Sequence, residues 1–167
     1  RAGASEGDFL VLHAGNMGHK QGLANAVEAA ALASSHTRLG LIGDGAQRAT
    51  LQSMVDQRTL TNVRLLPLQS AAEFQRYLAA ADILLLNQRA EIVDSVAPSK
   101  LLTYMSAGKA VLAAVHSNSA AARLINRAEC GLVVGPDVPR ELAVAMDRLA
   151  ADEAGRRRMG AAGRRYA

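Results

Sequence analysis

The chain has 167 residues, which suits one domain with a real core and falls short of two. Half of its residues are hydrophobic and none is Trp, and no apolar run nears the ~20 residues of a membrane-spanning helix, so no such segment is predicted and helices packed on a sheet fit best. The net charge of +4 gathers in Arg156-Arg157-Arg158 and Arg164-Arg165, while aromatics are only 3%, so the stacking platforms of a nucleic-acid binder are missing and no nucleic-acid partner is expected.

Short apolar runs alternate with amphipathic stretches, the pattern of repeated βα units around a parallel sheet. The first strand is expected at Phe9–Ala14, where His13 follows Val11 and Leu12 and reads as a packed strand residue rather than a base. After it comes the loop Gly15-Asn16-Met17-Gly18-His19-Lys20-Gln21-Gly22. Its glycines let backbone N–H groups approach a phosphate and Lys20 adds a charge; a tight turn with a solvated lysine is the alternative. The spacing has neither the Gly-Lys-Ser/Thr of nucleotide hydrolases nor the dinucleotide pattern Gly-x-Gly-x-x-Gly.

A helix over Gly22–Ser34 and a strand over Arg38–Ile42 lead to Gly43-Asp44-Gly45, read as a turn in which Asp44 caps the next helix, Ala46–Gln57. The third strand, Val63–Leu66, ends in Pro67-Leu68-Gln69, whose backbone can read a flat base edge or simply turn. A helix at Ala71–Ala80 and a strand at Ile83–Asn87 precede a polar loop running to Val96. Its carboxylates, Glu91 and Asp94, either hydrogen-bond sugar hydroxyls or are solvated.

Pro98-Ser99-Lys100 opens a helix over Ser99–Ala107 that Gly108 ends. Lys100 sits in its first turn, where free N–H groups already make the helix end positive, so a cation there suits an anion docked on that end. A solvated lysine on an ordinary helix is the alternative. The strand Ala110–Val115, the helix Ser119–Ala128, the strand Leu132–Val134 and helices over Pro139–Leu149 and Ala154–Tyr166 complete the series.

Cys130 is the single cysteine, which excludes an internal disulfide; it is assigned to the core, and a reducing cytoplasm is the simplest fit. The basic tail reads as a solvated helix face, with an acidic membrane surface, at the inner face of the membrane, or a partner domain as the alternatives. No His, Cys or carboxylate cluster has metal spacing, and neither Asp-x-Asp nor Gly-x-Ser-x-Gly occurs, so neither a metal nor a cofactor is expected. His19, His36 and His116 read as loop residues. Right-handed crossovers make the most natural assembly a doubly wound parallel sheet of six strands, Rossmann-like, with helices on both faces and ligands at the strand carboxyl ends. The chain opens without Met and closes inside a helical pattern, so residues 1–167 are expected to form a single domain of a longer protein.

At this point the chain resembles the C-terminal, donor-binding half of retaining GT-B glycosyltransferases over nearly its whole length. The resemblance is carried by Ala14–Gly18 with Lys20-Gln21-Gly22, by Ile42–Gly45, by Val63–Leu68, by Ala80–Leu86, and by Pro98–Leu101 through Ala107-Gly108-Lys109. The Gly-Asn-Met-Gly and Pro-Ser-Lys-Leu variants look most like bacterial exopolysaccharide enzymes of the colanic-acid type. The resemblance implies a nucleotide-diphosphate sugar as donor substrate, UDP- or GDP-linked, an acceptor domain N-terminal to this one, and leaving-group stabilisation by fixed donors and cations in place of a metal. It places Gly15, Asn16, Gly18, Lys20, Ser99 and Lys100 at the diphosphate and Pro67, Leu68 and Gln69 at the base. Thr103 falls at the ribose, and Glu91, Asp94, Ser95 and Val96 at the sugar. Many relatives keep Arg where this chain has Asn16, and paired glutamates where it has Ser95 and Thr103, so a phosphate cation and a strong ribose acceptor are replaced by weaker groups. The competing readings are half of a sugar-nucleotide epimerase and a non-catalytic nucleotide-binding module. Catalytic residues are not assigned.

Overall fold

The computed structural model describes residues 7–93 and 99–167. Its elements, in chain order, are β1 (Phe9–Ala14), α1 (Ala24–Leu32), β2 (Thr37–Ile42), α2 (Arg48–Gln57), β3 (Val63–Leu66), α3 (Ala71–Ala80), β4 (Ile83–Asn87), α4 (Ser99–Ser106), β5 (Ala110–Ala114), α5 (Ala120–Ala128), β6 (Gly131–Val134), α6 (Pro139–Ala151) and α7 (Glu153–Tyr166). The strands form one parallel sheet in the order β3-β2-β1-β4-β5-β6. This is the doubly wound arrangement the alternating pattern predicts.

The central strands β1, β4 and β5 are buried along their whole length, because helices cover both faces, and only His13 and Asn87 break their apolar run. Alternate residues feed two cores. Phe9, Val11, Ile83, Leu85 and Leu112 pack with α1, α2 and α6, whereas Leu12, Ala14, Leu84, Leu86, Val111 and Ala113 pack with α3, α4 and α5. Cys130 lies in the second core, fully buried, and its thiol is pushed up by that burial.

Several boundaries differ from expectation for local reasons. A single 3₁₀ turn at His19–Gln21 precedes α1, and Gly22, left-handed at φ 55°, sets the helix start at Ala24. Asp44 does not cap α2: its Oδ1 accepts the N–H of Gly45 within its own turn at 2.8 Å, and α2 begins only at Arg48, with Gln47 as its N-cap. The tail is not wholly a solvated face either. Arg157, Arg158, Arg164 and Arg165 are exposed, but Arg156 turns inward beneath the sheet.

Candidate functional site

β1 and β4 are neighbours although two βα units separate them in sequence, so the strand order reverses between them. Chains leaving their carboxyl ends go to opposite sides, which opens a crevice at that point. The loop after β1 is held along one wall by backbone bonds to the turn after β2. Gly15 N–H donates to Ile42 O at 2.8 Å, Met17 N–H to Asp44 O at 2.8 Å, and Gln47 N–H to Met17 O at 2.9 Å. This closeness adds to the turn a second reason for Gly43: at φ 141°, a Cβ there would lie 1.9 Å from the Gly15 carbonyl oxygen.

The far side of the loop is fixed to β4. Asn87 Nδ2 donates to the carbonyls of Gln21 at 2.7 Å and Gly22 at 3.0 Å, and its Oδ1 accepts from Asn25 Nδ2 at 2.9 Å. Both amides are buried, so this small network sets the loop's height above the sheet.

α4 is tied to the same end of β1 by Tyr104. Its hydroxyl accepts from Ala14 N–H at 2.9 Å and donates to Ala14 O at 3.3 Å, and burial holds it well above the usual phenol range. One turn earlier, Lys100 extends to the crevice. Its Nζ lies 3.2 Å from His13 Nε2. It also lies against Gly15, where a Cβ would stand 2.9 Å from Lys100 Cε and 3.0 Å from Nζ. Gly15, at φ 133°, is a glycine for its backbone conformation, and the lysine end rests on the space its missing Cβ leaves.

His13 is fully buried and its Nε2 also lies 3.4 Å from the Asn16 carbonyl oxygen. Burial first, and then the Lys100 charge, pull it down to about 3, against the opposing pull of the Asn16 and Leu85 carbonyls. The ring is therefore neutral near neutral pH. Lys100 is lowered to about 8 by burial. At neutral pH it remains an ammonium, and among the described residues no carboxylate pairs with it. A largely buried cation whose close partner is a neutral imidazole is poised for an anion.

The structure thus brings Gly15 and Lys100 together and adds His13, which sequence reasoning took as packing alone. Asn16 is exposed, with its Oδ1 against Gly45, and the Gly18 N–H donates to Gln21 Oε1 at 3.1 Å. Lys20 is exposed on the 3₁₀ turn and its carbonyl accepts from Arg89 N–H at 3.0 Å. Ser99 is the exposed first residue of α4, and its carbonyl accepts from the Thr103 hydroxyl at 3.3 Å.

Pro67, Leu68 and Gln69 stand on the edge strand's loop, two strands from β1. Leu68 is 70% exposed, and the Gln69 amide donates to the Pro67 carbonyl at 2.7 Å. Glu91 is exposed and paired with Arg89 at 3.2 Å. Asp94, Ser95 and Val96 lie outside the described residues. Among the described residues no group of three or more His, Cys, Asp or Glu stands close enough to hold a metal ion, and no helix is long and apolar enough to cross a membrane.

Comparison with known proteins gives the family and the fold. The family described as "Glycosyl transferases group 1" matches residues 1–166. The putative colanic acid biosynthesis glycosyl transferase WcaI of Escherichia coli K12 is 37% identical over 100 residues, which cover 59% of this chain and 25% of that protein. Among solved structures, the lipopolysaccharide glycosyltransferase WaaG superposes with a TM-score of 0.80 at 23% identity, covering 98% of this chain and 44% of WaaG. Anabaena Alr3699/HepE, crystallised with UDP-glucose, superposes with a TM-score of 0.82 at 20% identity, covering 95% of this chain and 43% of HepE. The chain accordingly spans less than half the length of these relatives.

Proposed function

Because this chain belongs to the group 1 glycosyl transferases, we propose that it is the donor-nucleotide domain of a metal-independent, retaining glycosyltransferase of polysaccharide biosynthesis. The sugar would pass from a UDP- or GDP-sugar to a glycan or lipid-linked acceptor. The observation that carries this reading is Lys100: an ammonium largely withdrawn from water, set against Gly15 at the reversal point of the sheet, with no described carboxylate to neutralise it.

In this reading the diphosphate lies between the Gly15-Asn16-Met17-Gly18 backbone and the first turn of α4. The first amides of any α-helix lack intrahelical partners and point outward, so α4 adds donors and a favourable dipole at Ser99 and Lys100. Lys20 contributes a second, solvent-facing cation from the opposite wall. As the glycosidic bond breaks, negative charge grows on the departing diphosphate, and donors already fixed in place stabilise it without reorganising. That is the task a metal performs in other sites.

Pro67, Leu68 and Gln69 border the base, and Thr103, one turn past Ser99, offers its hydroxyl oxygen to the ribose. The resemblance assigns Glu91, Asp94, Ser95 and Val96 to the sugar. The acceptor site and the groups that complete catalysis belong to an N-terminal domain of the longer protein, so this domain alone binds donor and scarcely turns it over. The buried thiol of Cys130 suits a reducing cytoplasm, and the exposed arginines of α7 suit peripheral contact with an acidic inner membrane face.

Isothermal titration of this chain with UDP, GDP and dTDP tests the reading. At least one should bind, and Lys100→Ala and Lys20→Ala should each weaken it by about 1–3 kcal/mol, as charge-assisted hydrogen bonds do. Flat heats for all three nucleotides, or unaltered affinity in both variants, would remove the proposal.

A further inference from the structure

We infer that His13 is a positioning residue for the donor diphosphate: its imidazole Nε2 accepts a hydrogen bond from the Lys100 ammonium and aims the remaining N–H groups of that cation at the phosphates. This rests on Lys100 being a diphosphate ligand, the reading given above. Four features of the site lead to it.

First, His13 stands where its strand neighbours are apolar. Leu10, Val11, Leu12 and Ala14 are all buried hydrophobics, and a ring that served only packing would leave polar nitrogens to be compensated. Second, Nε2 is 3.2 Å from Lys100 Nζ, within hydrogen-bond reach, and an ammonium has donors to spare after giving one to the ring. Third, the ring is neutral, so it accepts from the lysine without repelling it. Fourth, the end of the lysine side chain lies against Gly15, where a Cβ would stand 3.0 Å from Nζ, so the ammonium is set beside the loop that would carry the phosphates.

Besides the lysine, Nε2 faces the Asn16 carbonyl oxygen at 3.4 Å, to which it donates nothing while it accepts from Nζ at the shorter 3.2 Å. Tyr104, one turn along α4, has its hydroxyl engaged by the Ala14 backbone, and among the described residues no carboxylate pairs with either member. With no charged partner among the described residues to hold it, the lysine takes its direction from the imidazole. Without the ring the ammonium would be both less well placed and less stable as a cation.

The test compares wild type, His13→Phe, His13→Gln and Lys100→Ala by calorimetry, using UDP and GDP against uridine and guanosine. The pH runs from about 6 to about 10, bracketing the value of about 8 to which burial lowers Lys100. His13→Phe should weaken diphosphate binding about three- to tenfold, the range of one net hydrogen bond, and leave nucleoside binding unchanged. The pH at which diphosphate affinity falls away should also move down, because the ammonium loses an acceptor. His13→Gln, which keeps an acceptor oxygen, should recover part of both effects.

Diphosphate affinity in His13→Phe equal to wild type at every pH, with Lys100→Ala still weak, overturns the role of His13 alone. Unaltered affinity in Lys100→Ala overturns the placement of Lys100 at the diphosphate, and with it this inference. Should His13→Phe not fold, nitrogen-15 histidine resonances of the wild type decide: an Nε2 without a proton across this range supports the acceptor role, and a protonated Nε2 overturns it.

Discussion

Each end of the sheet holds a cation close to the core, and the two are used in opposite ways. Beneath the amino ends, Arg156 donates to the carbonyls of Leu149 and Ala150 and lies over the Phe9 ring, 5.1 Å from its centroid. It closes the last turn of α6, where helix carbonyls lack partners, and fastens the start of α7 to β1. At the carboxyl ends, the only hydrogen-bond partner of the Lys100 ammonium among the described residues is the neutral His13 ring, which leaves it donors to spare. The lesson is that burial alone does not mark a functional cation; what matters is whether its hydrogen-bonding capacity is already satisfied from within.

The largest effect expected on this contrast is acid sensitivity from the carboxyl end. His13 takes up a proton at about 3 in the folded chain and near its ordinary value when unfolded. The unfolded chain therefore binds more protons between these values, and stability present above about pH 6.5 is lost as pH falls toward about 3. The difference between wild type and His13→Gln in urea unfolding should reach on the order of 3 kcal/mol across that window. A constant difference would show that the ring is not kept neutral by burial.

At the other end the sharpest probe is steric. A Cβ at Gly160 of α7 would lie 2.2 Å from the Gly108 carbonyl oxygen, so Gly160→Ala should lower stability by about 2–3 kcal/mol while nucleotide affinity of the folded chain stays as in wild type. Arg156→Ala should lower it by about 2 kcal/mol through lost charged hydrogen bonds and ring contact, again without touching affinity. A clear loss of UDP or GDP affinity in either variant would break the division between the two ends.

The smallest effect has the opposite sign. Lys100→Met should raise stability by about 1 kcal/mol near neutral pH, because a desolvated cation is replaced by an apolar chain, while diphosphate binding weakens as in Lys100→Ala. Wild type should also gain stability as pH rises from about 8, where folded Lys100 loses its proton, toward about 10.5, where the unfolded lysine does. Lys100→Met should lack that gain. A variant less stable than wild type would mean that the lysine supports the fold as Arg156 does.

Much of this fold was legible because its signals are local. The limits of β1, β3, β4 and α3 coincide with those the apolar runs and turn residues predict, and Gly108 ends α4 in the left-handed conformation its place implies. What escaped reading was set by contacts between distant segments. Nothing within Gly43-Asp44-Gly45 announces that its first glycine is demanded by the Gly15 carbonyl, and Asp44 resembles a cap only when the neighbouring loop is ignored. His13 looks like a core residue in its own strand because the lysine that gives it a second meaning lies 87 positions away. Arg156 is hidden in a run of three arginines, of which only the packing of α7 selects the one that turns inward.

The pairing of β1 with β4 has a consequence for how the chain folds. These strands join two successive halves, β1 to α3 and β4 to α7, each able to form its own local contacts first. Their union closes a long loop and belongs to the slow, non-local part of folding. Lys100 and Gly15 come from opposite halves, so an anion held between them would act as a staple across that seam. In hydrogen exchange, nucleotide should then slow the opening of β1 and β4 together, as one cooperative unit, and leave the fraying of the edge strands β3 and β6 nearly unaltered.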